Sequence, residues 1–248
     1  MSHTKVIPGK TVVLILTSLL AVIPCSAQAP SATGGDPATR PTGRVDARGP
    51  ARWEREIAAF EAADRANPPP KGAVLFVGAS TITLWKSLPR DFPEHKVINR
   101  GFGGSEIADT THFADRIIFP YEPQMIFLRS GSNEIFAGKS PEQVLADFEA
   151  FVAKVREKLP EAWIVYISIN AIPSRWGQNE KNQKANALIL ASAEKLPKVR
   201  YLDIWDISIT PDGKPREELF LPDRLHFNEQ GYKLLADRVR PFLPAASH

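Results

Sequence analysis

Apolar positions along this chain gather into five short runs separated by longer segments of helical period. The runs are Ala73–Val77 (AVLFV), Lys96–Asn99 (KVIN), Met125–Arg129 (MIFLR), Trp163–Ile169 (WIVYISI) and Val199–Ile204 (VRYLDI). Several are apolar at consecutive positions, as expected of strands covered on both faces by helices. Helical segments are predicted over Glu106–Phe119, Pro141–Leu159, Asn179–Leu196 and Asn228–Phe242. A further helix precedes the first run: Trp53, Ile57 and Phe60 share one face, and Pro68-Pro69-Pro70 stops it. This alternation predicts a three-layer α/β domain with a parallel sheet and right-handed crossovers. Ligands of such sheets bind beyond the carboxyl ends of the strands. Residues just past each apolar run are therefore the candidates for chemistry.

The first 50 residues follow other rules. Lys5 and Lys10 precede the apolar stretch Thr11–Ile23, and the small residues of Cys25-Ser26-Ala27-Gln28-Ala29 follow it. That order is expected of a signal peptide cleaved after Ala27 or Ala29, and hence of an exported protein, periplasmic or secreted. An uncleaved anchor is the alternative, although the stretch falls short of the roughly 20 apolar residues of a membrane span. Residues 28–50 are rich in Pro, Gly, Ala and Thr, and they read as a disordered linker. The folded domain is expected over 51–248. Cys25 is the one cysteine, so cleavage after Ala27 leaves a mature chain without disulfide or thiol chemistry.

Composition narrows the function further. With 248 residues, 43% hydrophobic and 24% charged, the chain suffices for one globular domain with an ordinary core. A net charge of +3 without a basic block argues against a nucleic-acid partner. His3, His95, His112 and His248 show no metal-ligand spacing, and there is no cysteine cluster, so no metal or other cofactor is expected.

Four segments carry candidate chemistry. Gly78-Ala79-Ser80 follows the first run, where glycine permits a tight turn that exposes the Ser80 hydroxyl. Ile82 occupies the last position of what would be G-x-S-x-G, so the nucleophile elbow of α/β-hydrolases is absent. Asn99-Arg100-Gly101-Phe102-Gly103-Gly104 follows the second run, and its backbone N–H groups can approach an oxyanion. Gly131-Ser132-Asn133-Glu134 follows the third, with an amide at Asn133 able to donate a second bond. Asp223 and His226 follow the fifth. At a spacing of three, the carboxylate reaches imidazole Nδ1 and leaves Nε2 free to take a proton. Taken singly, each segment also reads as an ordinary turn or helix cap. Together all four lie past successive strand ends.

In these four blocks, and in their order, the chain resembles the SGNH (GDSL-type) hydrolases over about residues 71–243. The resemblance implies a flavodoxin-like five-stranded parallel sheet. It assigns the nucleophile to Ser80, the oxyanion donors to the Ser80 and Gly104 N–H groups and the Asn133 amide, and the acid–base pair to Asp223 and His226. Three positions depart from the family pattern: Ala79 stands where Asp is common, Ser105 follows the glycine pair, and Glu134 replaces the Asp that often ends the third block.

The expected reaction is hydrolysis of a small-molecule carboxylic ester through an acyl-Ser80 intermediate, with short acyl groups favoured because no long apolar insertion is present. Arg129, Arg175 and Trp176 follow strand ends and are candidates for substrate binding, with Trp176 able to stack on a sugar. Lysophospholipase- or lipase-like action, acyl transfer to another acceptor, and a non-catalytic carbohydrate-binding module are the alternatives. Once a signal peptide is removed, no stable membrane association is expected.

Overall fold

The computed structural model describes residues 49–245. The proposed signal peptide and nearly all of the proposed linker lie outside the described residues. A 3-10 turn begins at Pro50 and leads into helix α1 (Glu54–Ala66). Five parallel strands follow: β1 (Val74–Gly78), β2 (Val97–Gly101), β3 (Met125–Arg129), β4 (Trp163–Ile167) and β5 (Val199–Leu202), in the order β2-β1-β3-β4-β5. Short helices α2 (Ser80–Thr83) and α3 (Leu88–Asp91) connect β1 to β2. Helices α4 (Ile107–His112) and α5 (Ala114–Ile117) connect β2 to β3. After β3 come α6 (Ser132–Phe136) and α7 (Pro141–Lys158), after β4 comes α8 (Asn179–Ala193), and α9 (Glu229–Val239) closes the domain.

Strand side chains alternate between two cores. Leu75, Val77, Ile126, Leu128, Ile164 and Tyr166 join Ile57, Phe148 and Ile189 on one face. Val74, Phe76, Met125, Phe127, Val165 and Ile167 join Trp85, Leu235 and Val239 on the other. This is why the strands read as unbroken apolar runs. Each such side chain contributes about 1.5–3 kcal/mol by leaving water.

The helices begin where local chemistry dictates. Ser140 and Gln143 form a reciprocal capping box at the start of α7, with Pro141 in the first turn. Asn228 Oδ1 accepts the Gly231 N–H at the start of α9.

Several expected boundaries shift, four of them for plain local reasons. The strand expected over Trp163–Ile169 ends at Ile167. The Ser168 N–H makes one last backbone bond, to Leu202 O, and then side chains take over: Asn186 takes both polar groups of Ile169, and Ser168 Oγ accepts the Ile204 N–H. The same bond ends β5 at Leu202, short of Ile204. The helix expected over Glu106–Phe119 breaks into α4, α5 and a 3-10 turn at Phe119–Tyr121, with Pro120 unable to continue the ladder. The helix expected to reach Phe242 passes into a 3-10 turn at Arg240–Phe242, which contains Pro241.

Candidate active site

Ser80 opens α2 immediately after β1, half-buried, and no residue within its helix can claim its N–H. Gly78 makes this turn possible. Its φ is +125°, and a Cβ there would sit 2.1 Å from the Arg129 carbonyl oxygen. Only glycine lets β1 and β3 end so close together.

His226 comes from the far end of the chain. Its Nε2 lies 3.0 Å from Ser80 Oγ, and its Nδ1 lies 2.7 Å from Asp223 Oδ2. Pairing with a carboxylate requires the proton on Nδ1, so Nε2 is the acceptor facing the serine. Asp223 is further committed through Oδ1, which accepts the Leu225 and His226 N–H groups at 2.9 and 3.0 Å. The His226 N–H is the largest cause holding the Asp223 carboxyl down at about 2, with the imidazole bond and the Leu225 N–H adding to it. The turn is closed on itself: the Leu221 N–H donates to His226 O and the Asn228 N–H to Leu219 O, while Arg224 takes a left-handed conformation at φ +56°.

The second half of the site rests on buried side chains beneath half-open loops. Gly104, at φ +81°, presents an N–H that no acceptor among the described residues takes. A Cβ on neighbouring Gly103 would stand 4.0 Å from that of Ser80, so this loop runs beside the nucleophile. Asn133 Nδ2 donates to Ser105 O at 2.9 Å, which leaves one amide hydrogen for a ligand. Its Oδ1 accepts from Arg175 Nη1 at 3.1 Å, and the same nitrogen reaches the Ser132 carbonyl and hydroxyl. Arg175 thus fixes which end of the Asn133 amide faces the glycine loop.

Several contributors escaped the sequence reading. Glu134 is wholly buried, and its two oxygens accept the Ile107 and Gly131 N–H groups at 2.6 and 2.9 Å, tying the glycine loop to the asparagine turn. Burial pushes its carboxyl up to about 7. Asp109 Oδ2 collects the Glu106 N–H, Trp53 Nε1 and Arg52 Nη2. A Cβ on Gly104 would lie 3.2 Å from the Trp53 ring. The first helical segment, outside the span of the resemblance, therefore braces the glycine loop. The signals were present in Trp53 and Glu134, but nothing local says what they touch.

Ser80, Asn133, Arg129, Arg175, Asn170, Leu225 and Phe227 line a recess of about 20 Å³ beside the serine. Arg129 and Arg175 are thus brought to the site. Trp176 is not: it is 39% exposed and lines a separate groove with Trp205 and Gln183. Among the described residues no cluster of metal-ligating side chains is found, and no helix is long and apolar enough to cross a membrane.

Comparison with known proteins places the chain in a family. Residues 76–234 match the model of the GDSL-like Lipase/Acylhydrolase family. Platelet-activating factor acetylhydrolase IB subunit alpha1 of Pongo abelii is 28% identical over 211 residues, covering 79% of this chain and 85% of that protein. Subunit alpha2 of Gallus gallus is 30% identical over 192 residues, covering 72% and 78%. A solved structure described as a putative platelet activating factor from Streptococcus pneumonia superposes with a TM-score of 0.70 at 21% identity, covering 78% of this chain and 94% of that one. With residues 76–234 matched to its model, this chain belongs to the GDSL-like lipase/acylhydrolase family.

Proposed function

We propose that the protein is an exported serine esterase that removes short acyl groups from small-molecule esters. The observation that carries this reading is the continuous chain Asp223 Oδ2–His226 Nδ1 and Nε2–Ser80 Oγ, at 2.7 and 3.0 Å. Ser80 Oγ attacks the ester carbonyl as its proton passes to His226 Nε2. The resulting oxyanion is met by the Ser80 and Gly104 N–H groups and the free hydrogen of the Asn133 amide. His226 gives its proton to the departing alcohol, then takes one from the water that attacks the acyl-enzyme and returns it to Ser80 Oγ as the acid leaves. Asp223 holds the ring tautomer and stabilises the imidazolium.

Short acyl groups are favoured by the recess beside Ser80, whose volume of about 20 Å³ admits little more than one or two water-sized groups. A relative at 28% identity is named as an acetylhydrolase, which supports the same preference. Export rests on the charged, apolar and small-residue order of the first 29 residues. A carbohydrate-linked acetyl ester is consistent with Trp176 only if the sugar reaches the groove it shares with Trp205.

Ser80→Ala tests the reading. Turnover of p-nitrophenyl acetate is expected to fall by about 10⁶-fold, and fluorophosphonate labelling is expected to disappear. Retained turnover in the variant overturns the assignment. Faster hydrolysis of palmitate than acetate esters by the wild type overturns the short-acyl preference. N-terminal sequencing of protein recovered from the export fraction tests cleavage after Ala27 or Ala29.

A further inference from the structure

Arg129 is the more deeply buried of the two cations in the recess. It is 3% exposed, and it makes no ion pair among the described residues. Its Nη2 donates to Asn170 Oδ1 at 2.6 Å, its Nη1 makes one long contact of 3.5 Å to Ser130 O, and its buried Nε finds no partner. A guanidinium carries five donors, and a buried cation ordinarily has a carboxylate to meet them. The nearest carboxylate that acts on it is that of Glu134, whose oxygens are taken by the Ile107 and Gly131 N–H groups. Arg175 adds a second, half-buried guanidinium to the same lining and also has no ion pair. The recess therefore holds two cations and no committed counter-charge, against one wall of Ile172, Leu225 and Phe227.

We propose that the floor of this recess is an anion subsite, in which Arg129, aimed by Asn170 and seconded by Arg175, receives the carboxylate of a small organic acid. The volume limits that acid to one or two carbons beyond what extends toward Ser80. Two sources present this chemistry beside the serine: the acid released on deacylation, and a second carboxylate carried by the acyl group itself. Burial without a partner lowers the affinity of Arg129 for its own proton, in the direction expected of a cation that lacks its anion. The subsite stands apart from the esterase reading, while its part in turnover rests on it.

The test begins with Ser80→Ala protein, in which binding is read without catalysis. Sodium formate or acetate at tenfold the dissociation constant is expected to raise Tm by about 3–6 °C over sodium chloride of equal ionic strength. Acetamide, the neutral isostere of acetate, is expected to give no rise. Adding Arg129→Met abolishes the rise. Should that protein fail to fold, Asn170→Leu, which removes the acceptor that aims the guanidinium, weakens it instead. Wild-type turnover then separates the sources. A kcat/KM for 4-nitrophenyl hemisuccinate at least tenfold above that for the butyrate ester marks the carboxylate as the substrate's own. Competitive inhibition by acetate without that preference marks it as the released acid's. The same Tm in acetate, acetamide and chloride overturns the proposal, as does a carboxylate-induced rise that survives Arg129→Met. Because binding is read in protein lacking the Ser80 hydroxyl, that failure leaves the esterase reading untouched.

Discussion

The turn bearing Asp223 and His226 and the loops bearing Gly104 and Asn133 meet at one serine but are built differently. The turn is local and solvent-facing. Its acid lies three residues from its base, the Asp223 side chain is 46% exposed, and the bonds that close it run between Leu219 and Asn228. The loops are assembled from afar and braced from below by the buried carboxyls of Glu134 and Asp109: Glu134 reaches Ile107, Asp109 reaches Trp53, and Arg175 reaches Asn133 across 42 residues. A local turn can place a proton carrier because the backbone fixes the spacing. Placing fixed dipoles around a developing charge takes a rigid shell, which here is supplied by buried side chains.

Substitutions can break this contrast. The largest effect is expected on the turn. Asp223→Asn keeps an oxygen for the Leu225 and His226 N–H groups but turns a donor toward Nδ1, which favours the wrong tautomer. A loss of about 10³–10⁴-fold in kcat is expected, measured by stopped-flow. Asn133→Ala removes one oxyanion donor and should lower kcat by about 10²–10³-fold with little change in KM. Arg175→Met should cost about tenfold alone and almost nothing on top of Asn133→Ala. A double-mutant cycle reads that coupling, and strictly additive losses would mean that Arg175 does not act through the amide.

The smallest effect is one of pH. The folded pKa of Glu134 is raised to about 7 from an ordinary 4.5. Its protonated form is therefore favoured by folding, and that contribution is complete below about 4.5 and lost as pH rises through about 7. Glu134→Gln should flatten the slope of unfolding free energy across this window, measured by urea titration. Asp223 has the opposite sign: its carboxyl is depressed to about 2, so its contribution is present above about 4 and lost only as pH falls toward 2.

The same contrast explains what could be read from the sequence. The three central strands were legible because each is apolar on both faces, and Asp223 and His226 because their relation is a spacing. Ser80, Gly104 and Asn133 were legible from their places after strand ends. Glu134 looked like a mere departure from the usual Asp, since nothing nearby in the chain reveals the two N–H groups it serves. Arg129 and Asn170 lie 41 residues apart, and only the register of β3 beside β4 brings them together. Trp53 sits in a segment that announces only a helix. Strand β4 was read two residues too long because Ile169 looks like strand while the Asn186 side chain takes its backbone groups.

The strand order has a further consequence, for the time at which activity arises. Every pairing in the sheet joins strands distant along the chain, and the proton carrier enters last, after β5. Non-local contacts of this kind form late and cooperatively. Nascent or truncated chains ending before His226 would hold a serine with no base. Return of ester turnover during refolding would therefore clock the final docking event, lagging behind the recovery of sheet and helix.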